Sequence, residues 1–211
     1  MTENLIVIRP AVAADVTPVL ALIRLSMGDE VDWLFGQGKK HSTENVLSAL
    51  FLCKGNRLSH DVCWVAEQDG QVVGALLAYP GKHVRRLEFR TGLHLVRIFG
   101  LPATFRLARR LFAYGNLVES EDDEFYLSNL AVLPEWQGRG IGASLLDRAD
   151  ELGRAAGLDK CSLMVTFDNR ARRLYERIGY RIVQSWKVDH PMIAHGSGGF
   201  YRMVKLLNIS S

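Results

Sequence analysis

The sequence predicts a single α/β domain, and three features carry that reading. Residues Tyr126–Leu133 are apolar and mostly alternating, as in a strand buried on at least one face. A glycine-rich run, Gln137-Gly138-Arg139-Gly140-Ile141-Gly142, leads from them into a helical pattern through Leu145, Leu146, Ala149 and Leu152. Upstream, the apolar segments Val62–Glu67 and Val72–Tyr79 flank Asp69-Gly70, a dipeptide suited to the tight turn of a β-hairpin. With 211 residues, 48% of them hydrophobic, the chain can bury one sizeable core, so positions 1–211 read as one domain.

In chain order, Leu5–Ile8 is a short apolar strand ended by Arg9-Pro10. Asp15 stands where an N-cap belongs, before a helix carrying Val19, Leu20, Leu22, Ile23 and Met27. After the Gly36-Gln37-Gly38 break, a second helical pattern spans about Thr43–Leu52, and the hairpin follows. Lys82–Tyr114 then shows two amphipathic helical patterns divided by Gly100-Leu101-Pro102. Its apolar positions are Val84, Leu87, Leu95, Ile98, Phe99, Phe105, Ala108, Leu111 and Phe112. Lys82, Arg85, Arg86, Arg90, Arg97, Arg106, Arg109 and Arg110 face a single acid there, Glu88, and an acidic run, Glu119 to Glu124, follows at once. Two readings fit this stretch: a helical flap packed on the core with a solvated basic face, or a lid that attracts an acidic partner. Beyond the central strand and helix come a strand at Lys160–Thr166, a helix capped by Asp168 or Asn169, and strands at Tyr180–Trp186 and Phe200–Leu207. The glycine-rich loop between the last two holds His190 and His195.

Composition narrows the function classes. A net charge of +3 does not call for nucleic acid, and no run of about 18 apolar residues could span a membrane. Cys53, Cys63 and Cys161 lack Cys-x-x-Cys spacing and read as reduced core residues of a cytoplasmic protein, not as a disulfide or metal framework. The N-terminus has no basic region followed by an apolar core, so no signal peptide is expected.

A strand, a glycine turn and a helix N-terminus in that order build an anion site. Freed backbone N–H groups converge, and the helix dipole adds about half a positive charge. Pro134 cannot donate to a ladder and should end the strand. A P-loop is excluded, because no Gly-x-x-x-x-Gly-Lys-Ser/Thr occurs. Gly138, Gly140 and Ala143 meet the dinucleotide pattern Gly-x-Gly-x-x-Gly/Ala literally. Against it, four residues separate strand from glycine, and Asp159 begins the next strand rather than ending it.

Leu130-Ala131-Val132, Pro134, and Gln137 with Gly140 and Gly142 resemble the acetyl-CoA-binding motif of the GNAT (GCN5-related N-acetyltransferase) superfamily. Asn169-Arg170-Ala171-Arg172-Arg173-Leu174-Tyr175-Glu176-Arg177-Ile178-Gly179-Tyr180 is similar to that family's closing helix and strand. The resemblance covers roughly Glu124 to Trp186. It implies a mixed, mostly antiparallel sheet flanked by helices and splayed around acetyl-CoA, with the basic stretch at about 82–120 as a helical insertion.

By the same resemblance, Leu130, Ala131 and Val132 line the pantetheine arm, and the Val132 N–H faces the thioester oxygen. Gln137, Gly138, Arg139, Gly140, Ile141, Gly142 and Ala143 hold the pyrophosphate, and Tyr175 is the general acid toward the leaving thiolate. The base is less defined. The histone-type glutamate position falls on Tyr126, with Glu124 two residues earlier, Ser128 two later, and His190 and His195 as further candidates. Asp168 replaces the family's usual asparagine, so Asn169 is the residue left to offer an amide to the arm. The implied function is transfer of an acetyl group to a primary amine of a small molecule or peptide, in a monomer or homodimer. The alternative is a non-catalytic acyl-CoA-binding module on the same fold.

Overall fold

The Asp69-Gly70 turn closes as its composition demands. Both residues take positive φ, 52° and 79°, and strands β2 (Cys63–Gln68) and β3 (Gln71–Pro80) pair antiparallel across it. They belong to a sheet seen in a computed structural model that describes residues 6–36, 42–111, 117–188 and 197–207. The other strands are β1 (Val7–Pro10), β4 (Glu124–Val132), β5 (Lys160–Thr166), β6 (Arg181–Lys187) and β7 (Gly199–Leu206). Their order is β1-β2-β3-β4-β5-β7-β6. Every neighbouring pair is antiparallel except β4 and β5. That matches the mixed, mostly antiparallel sheet expected.

Both faces of the sheet are covered, which is why β3 reads as one continuous apolar run. Val72, Ala75 and Leu77 join a core made with α1 (Val16–Met27), α2 (Glu30–Phe35) and α3 (Thr43–Leu52). Val73, Leu76 and Ala78 point the other way, into a core made with α6 (Ile141–Ala155) and α7 (Arg172–Arg177). The remaining helices, α4 (Val84–Phe99) and α5 (Leu101–Leu111), meet at Gly100, whose φ of 76° turns the chain between them.

These two helices pack on the protein itself. Leu95, Phe99, Ala103 and Leu107 join the α1–α3 core, and Leu87 closes a small cluster with Tyr79 and Tyr126. Ser42 caps α3 by accepting the Asn45 N–H at 3.3 Å.

Asp15 precedes α1 as expected but does a different job. Its carboxylate accepts two hydrogen bonds from Arg9, at 2.8 and 2.9 Å, and one from the Val12 N–H at 2.8 Å. Arg9 accordingly holds the Asp15 carboxyl below its ordinary range. The sequence pattern assigns no helix to α2.

Candidate functional site

The site begins where the sheet comes apart. Parallel pairing between β4 and β5 runs only from Glu124↔Lys160 to Leu127↔Leu163. Beyond that point β4 stays with β3, as far as Val132↔Gly74, while β5 stays with β7, as far as Thr166↔Phe200. The β5-facing backbone groups of residues 128–132 therefore border a wedge rather than a strand. Exposed N–H and C=O groups along such an edge are a template for an extended ligand.

A bulge sits where the wedge opens. Leu77 pairs with Asn129 and Ala78 with Leu127, which leaves Ser128 as the extra residue. The bulge inverts the side-chain alternation of β4. Before it, Phe125 and Leu127 face α6; after it, Leu130 and Val132 do. Asn129 and Ala131 then face α1, where Asn129 donates from Nδ2 to Ser26 Oγ at 3.0 Å.

The turn at the mouth of the wedge directs backbone N–H groups outward. Pro134–Trp136 forms one 3-10 turn, and Gln137 Nε2 folds back to donate to the Val132 carbonyl at 3.0 Å. Gly138 and Gly140 take φ of 76° and 85°, and a side chain at either would stand in open space. Backbone conformation, not crowding, therefore demands glycine at both. The first intrahelical bond of α6 is Ser144 N–H to Gly140 O at 3.0 Å, so the N–H groups of Ile141, Gly142 and Ala143 lie ahead of the ladder and point out of the helix end. Arg139 lies over the Trp136 ring at 4.6 Å and donates to the Glu135 carbonyl at 3.1 Å.

Helix α7 brings the second sequence motif against the first. A Cβ on Gly142 would meet Leu174 Cδ2 at 3.2 Å, so glycine is what lets the two helices approach. Tyr175 joins the cluster holding Leu130, Val132 and Ile141, with its ring edge-on to Tyr180. Burial alone pushes its hydroxyl up to about 12. Asn169 Oδ1 is engaged with the Ala171 N–H at 2.8 Å, closing the turn ahead of α7.

Both base candidates on β4 are buried and already engaged by other side chains. Glu124 is buried, and both of its oxygens accept from Arg202 Nη2 at 2.6 Å, while the Glu121 N–H adds a bond at 2.9 Å. These contacts make it the buried counter-ion of Arg202. Tyr126 is buried too. Burial first, and then the Glu119 carboxylate to which it donates, raise its phenol well above the ordinary value.

Around Tyr126 lies a polar network that nothing in the sequence pattern announces. Arg57 Nε donates to the Tyr79 hydroxyl at 2.9 Å, and the guanidinium pairs with Glu88 (2.9 Å) and with Glu119. Its members come from the α3–β2 loop, β3, α4 and the segment before β4. Only an odd charge in an otherwise apolar setting, as with Arg202 in β7, offers a local hint. His190 and His195 lie outside the described residues.

Residues 29–180 match the Acetyltransferase (GNAT) family, and the chain belongs to it. Among curated relatives, a segment of 52 residues is 50% identical to the mycothiol acetyltransferase of Beutenbergia cavernae, covering 24% of this chain and 18% of that protein. A segment of 74 residues is 38% identical to the [ribosomal protein bS18]-alanine N-acetyltransferase of Haemophilus influenzae, covering 35% of this chain and 51% of that protein. The matches thus span about half or less of those relatives. Two solved structures share the fold. An N-acetyltransferase from Staphylococcus aureus Mu50 aligns with TM-score 0.71 at 19% identity, covering 94% of this chain and 99% of that one. A further acetyltransferase aligns with TM-score 0.69 at 23% identity, covering 96% and 100%.

Proposed function

We propose that the protein is an acetyl-CoA-dependent N-acetyltransferase that moves the acetyl group directly to a primary amine. The observation that carries this reading is the junction of three elements: the wedge between β4 and β5, the turn Gln137–Ala143 at its mouth, and Tyr175 against its floor. The residues fit the donor. A pyrophosphate needs converging N–H donors in a positive field, and the α6 end offers them. An extended arm carrying amide groups needs an unpaired strand edge, and residues 128–132 offer one.

When bound, acetyl-CoA supplies an activated acyl thioester whose thiolate is the leaving group. The amine nitrogen bonds to the acyl carbon, the carbon–sulfur bond breaks, the amine gives up a proton and the thiolate gains one. On this reading the backbone N–H of Val132 donates to the acyl oxygen. One preorganised donor of that kind is worth about 3 kcal/mol of barrier. The Tyr175 hydroxyl stabilises the sulfur, and Leu130 and Val132 exclude water from the α6 side. Asn169, with its carbonyl oxygen engaged, turns its remaining amide donors to the arm.

The acceptor enters from the opposite face, where Asn129, Ser26 and the Tyr79–Tyr126 pair lie. The test is a screen of peptide N-termini, lysine side chains, polyamines, aminoglycosides and amino acids, read out as free thiol. Amine-dependent thiol release with at least one class is expected. Tight CoA binding with no release from any amine would make the protein a binding module.

A further inference from the structure

The outward faces of α4 and α5 do not look like ordinary solvated helix surfaces. Each helix buries one stripe, Leu87, Leu95 and Phe99 on α4, Ala103 and Leu107 on α5. Each also carries a second apolar stripe turned away from the core. On α4 it is Phe89, Leu93 and Val96, at i, i+4 and i+7; on α5 it is Leu101, Phe105 and Ala108, at the same spacing. Phe89 is 68% exposed, Leu101 72% and Phe105 68%. Arg85, Arg86, Arg97, Arg106 and Arg109 flank these stripes, all exposed. The one acid of the pair, Glu88, turns to Arg57 at 2.9 Å instead of to these arginines.

Large apolar side chains bordered by arginines with no ion-pair partner among the described residues call for an occupant that is both oily and anionic. A second copy of this chain fits poorly, because a two-fold contact would set arginine against arginine. A nucleic acid would answer the arginines and leave the leucines in water. We infer that α4 and α5 dock the protein on an anionic lipid surface. Phe89, Leu93, Leu101 and Phe105 enter the boundary between headgroups and acyl chains, while the flanking arginines meet the lipid phosphates. The contact is peripheral, since no helix among the described residues is long and apolar enough to cross a membrane. It stands independently of the acetyl-transfer reading, because none of these side chains belongs to the wedge.

The experiment is co-sedimentation of the full chain with vesicles of phosphatidylcholine alone or with about a third phosphatidylglycerol. Partitioning onto the anionic vesicles should exceed that onto the neutral ones by about tenfold or more, and should weaken with salt as the screening length shortens. Phe89→Ser with Phe105→Ser should cut it about tenfold at unchanged charge. Arg86→Gln, Arg97→Gln and Arg109→Gln together should erase the preference for anionic lipid. All five side chains are exposed, so the melting temperature should hold, and an unchanged melt is the control for folding. Equal partitioning on both vesicles, or no partitioning, overturns the inference. So does indifference to both sets of substitutions, tighter binding of a DNA duplex through the same arginines, or a dimer that the Phe changes disperse.

Discussion

Tyr175 shows how a single hydroxyl is tuned by what surrounds it. Its pKa of about 12 arises from burial alone, whereas a Cys-like thiol sits near 8.5, so full proton transfer to a thiolate would be uphill by about 5 kcal/mol. A hydrogen bond to the developing anion is the cheaper role. Tyr175→Phe should therefore lower kcat about 10- to 100-fold while CoA affinity stays within about twofold, read from single-turnover rates and calorimetry. Glu124 and Arg202 make the opposite case. Arg202→Met strands a buried carboxylate and should cost about 3–5 kcal/mol in urea unfolding. The double change Glu124→Leu with Arg202→Met should recover most of that stability. Normal turnover in the double variant would confirm that Glu124 is no base. The motif residues are legible in the sequence because their demands are local. The Glu124–Arg202 pair is not, because its partners lie 78 positions apart and meet only through the order β4-β5-β7.

At the scale of elements, the glycine turn and the hairpin were readable for one reason: positive φ is a property of one residue at a time. The bulge at Ser128 was not, since it exists only in the register of β4 against β3. Its effect is large. Counting by twos from Tyr126 along a regular strand would put Leu130 on the α1 face, but the structure puts it on the α6 face. The six-residue α2 is too short to show a helical period in the sequence, although Asp29 stands at its N-cap. Contact between α6 and α7 is also a property of elements, and it can be measured. Gly142→Val should overpack against Leu174 and cost about 1–3 kcal/mol. Paired with Leu174→Ala in a double-mutant cycle, it should show a favourable coupling of about 1 kcal/mol.

Among the described residues four phenols and two thiols are buried, which sets how the molecule responds to alkali. Tyr79, Tyr126, Tyr175 and Tyr180 are all raised above 10 by burial first, and Cys63 and Cys161 are pushed up to about 12. In each case the unfolded chain loses its proton at lower pH than the folded one. The stability these groups contribute is therefore intact below about pH 8, ahead of the unfolded thiols' titration at about 8.5, and falls as pH rises toward 12. Chemical denaturation at stepped pH should show that decline. The half-buried Cys53 should react with a thiol reagent in the native state, ahead of Cys63 and Cys161.

The most direct test of the central claim, that the α6 end and the β4–β5 wedge hold the donor, is calorimetric titration of CoA into wild type and Ala143→Glu. An acidic residue in the first turn favours the helix by about 0.3–1 kcal/mol, so the melting temperature should not fall. The added carboxylate would still oppose a pyrophosphate at the same turn, and Kd should rise about tenfold or more. An unchanged Kd in a folded Ala143→Glu variant would contradict the account.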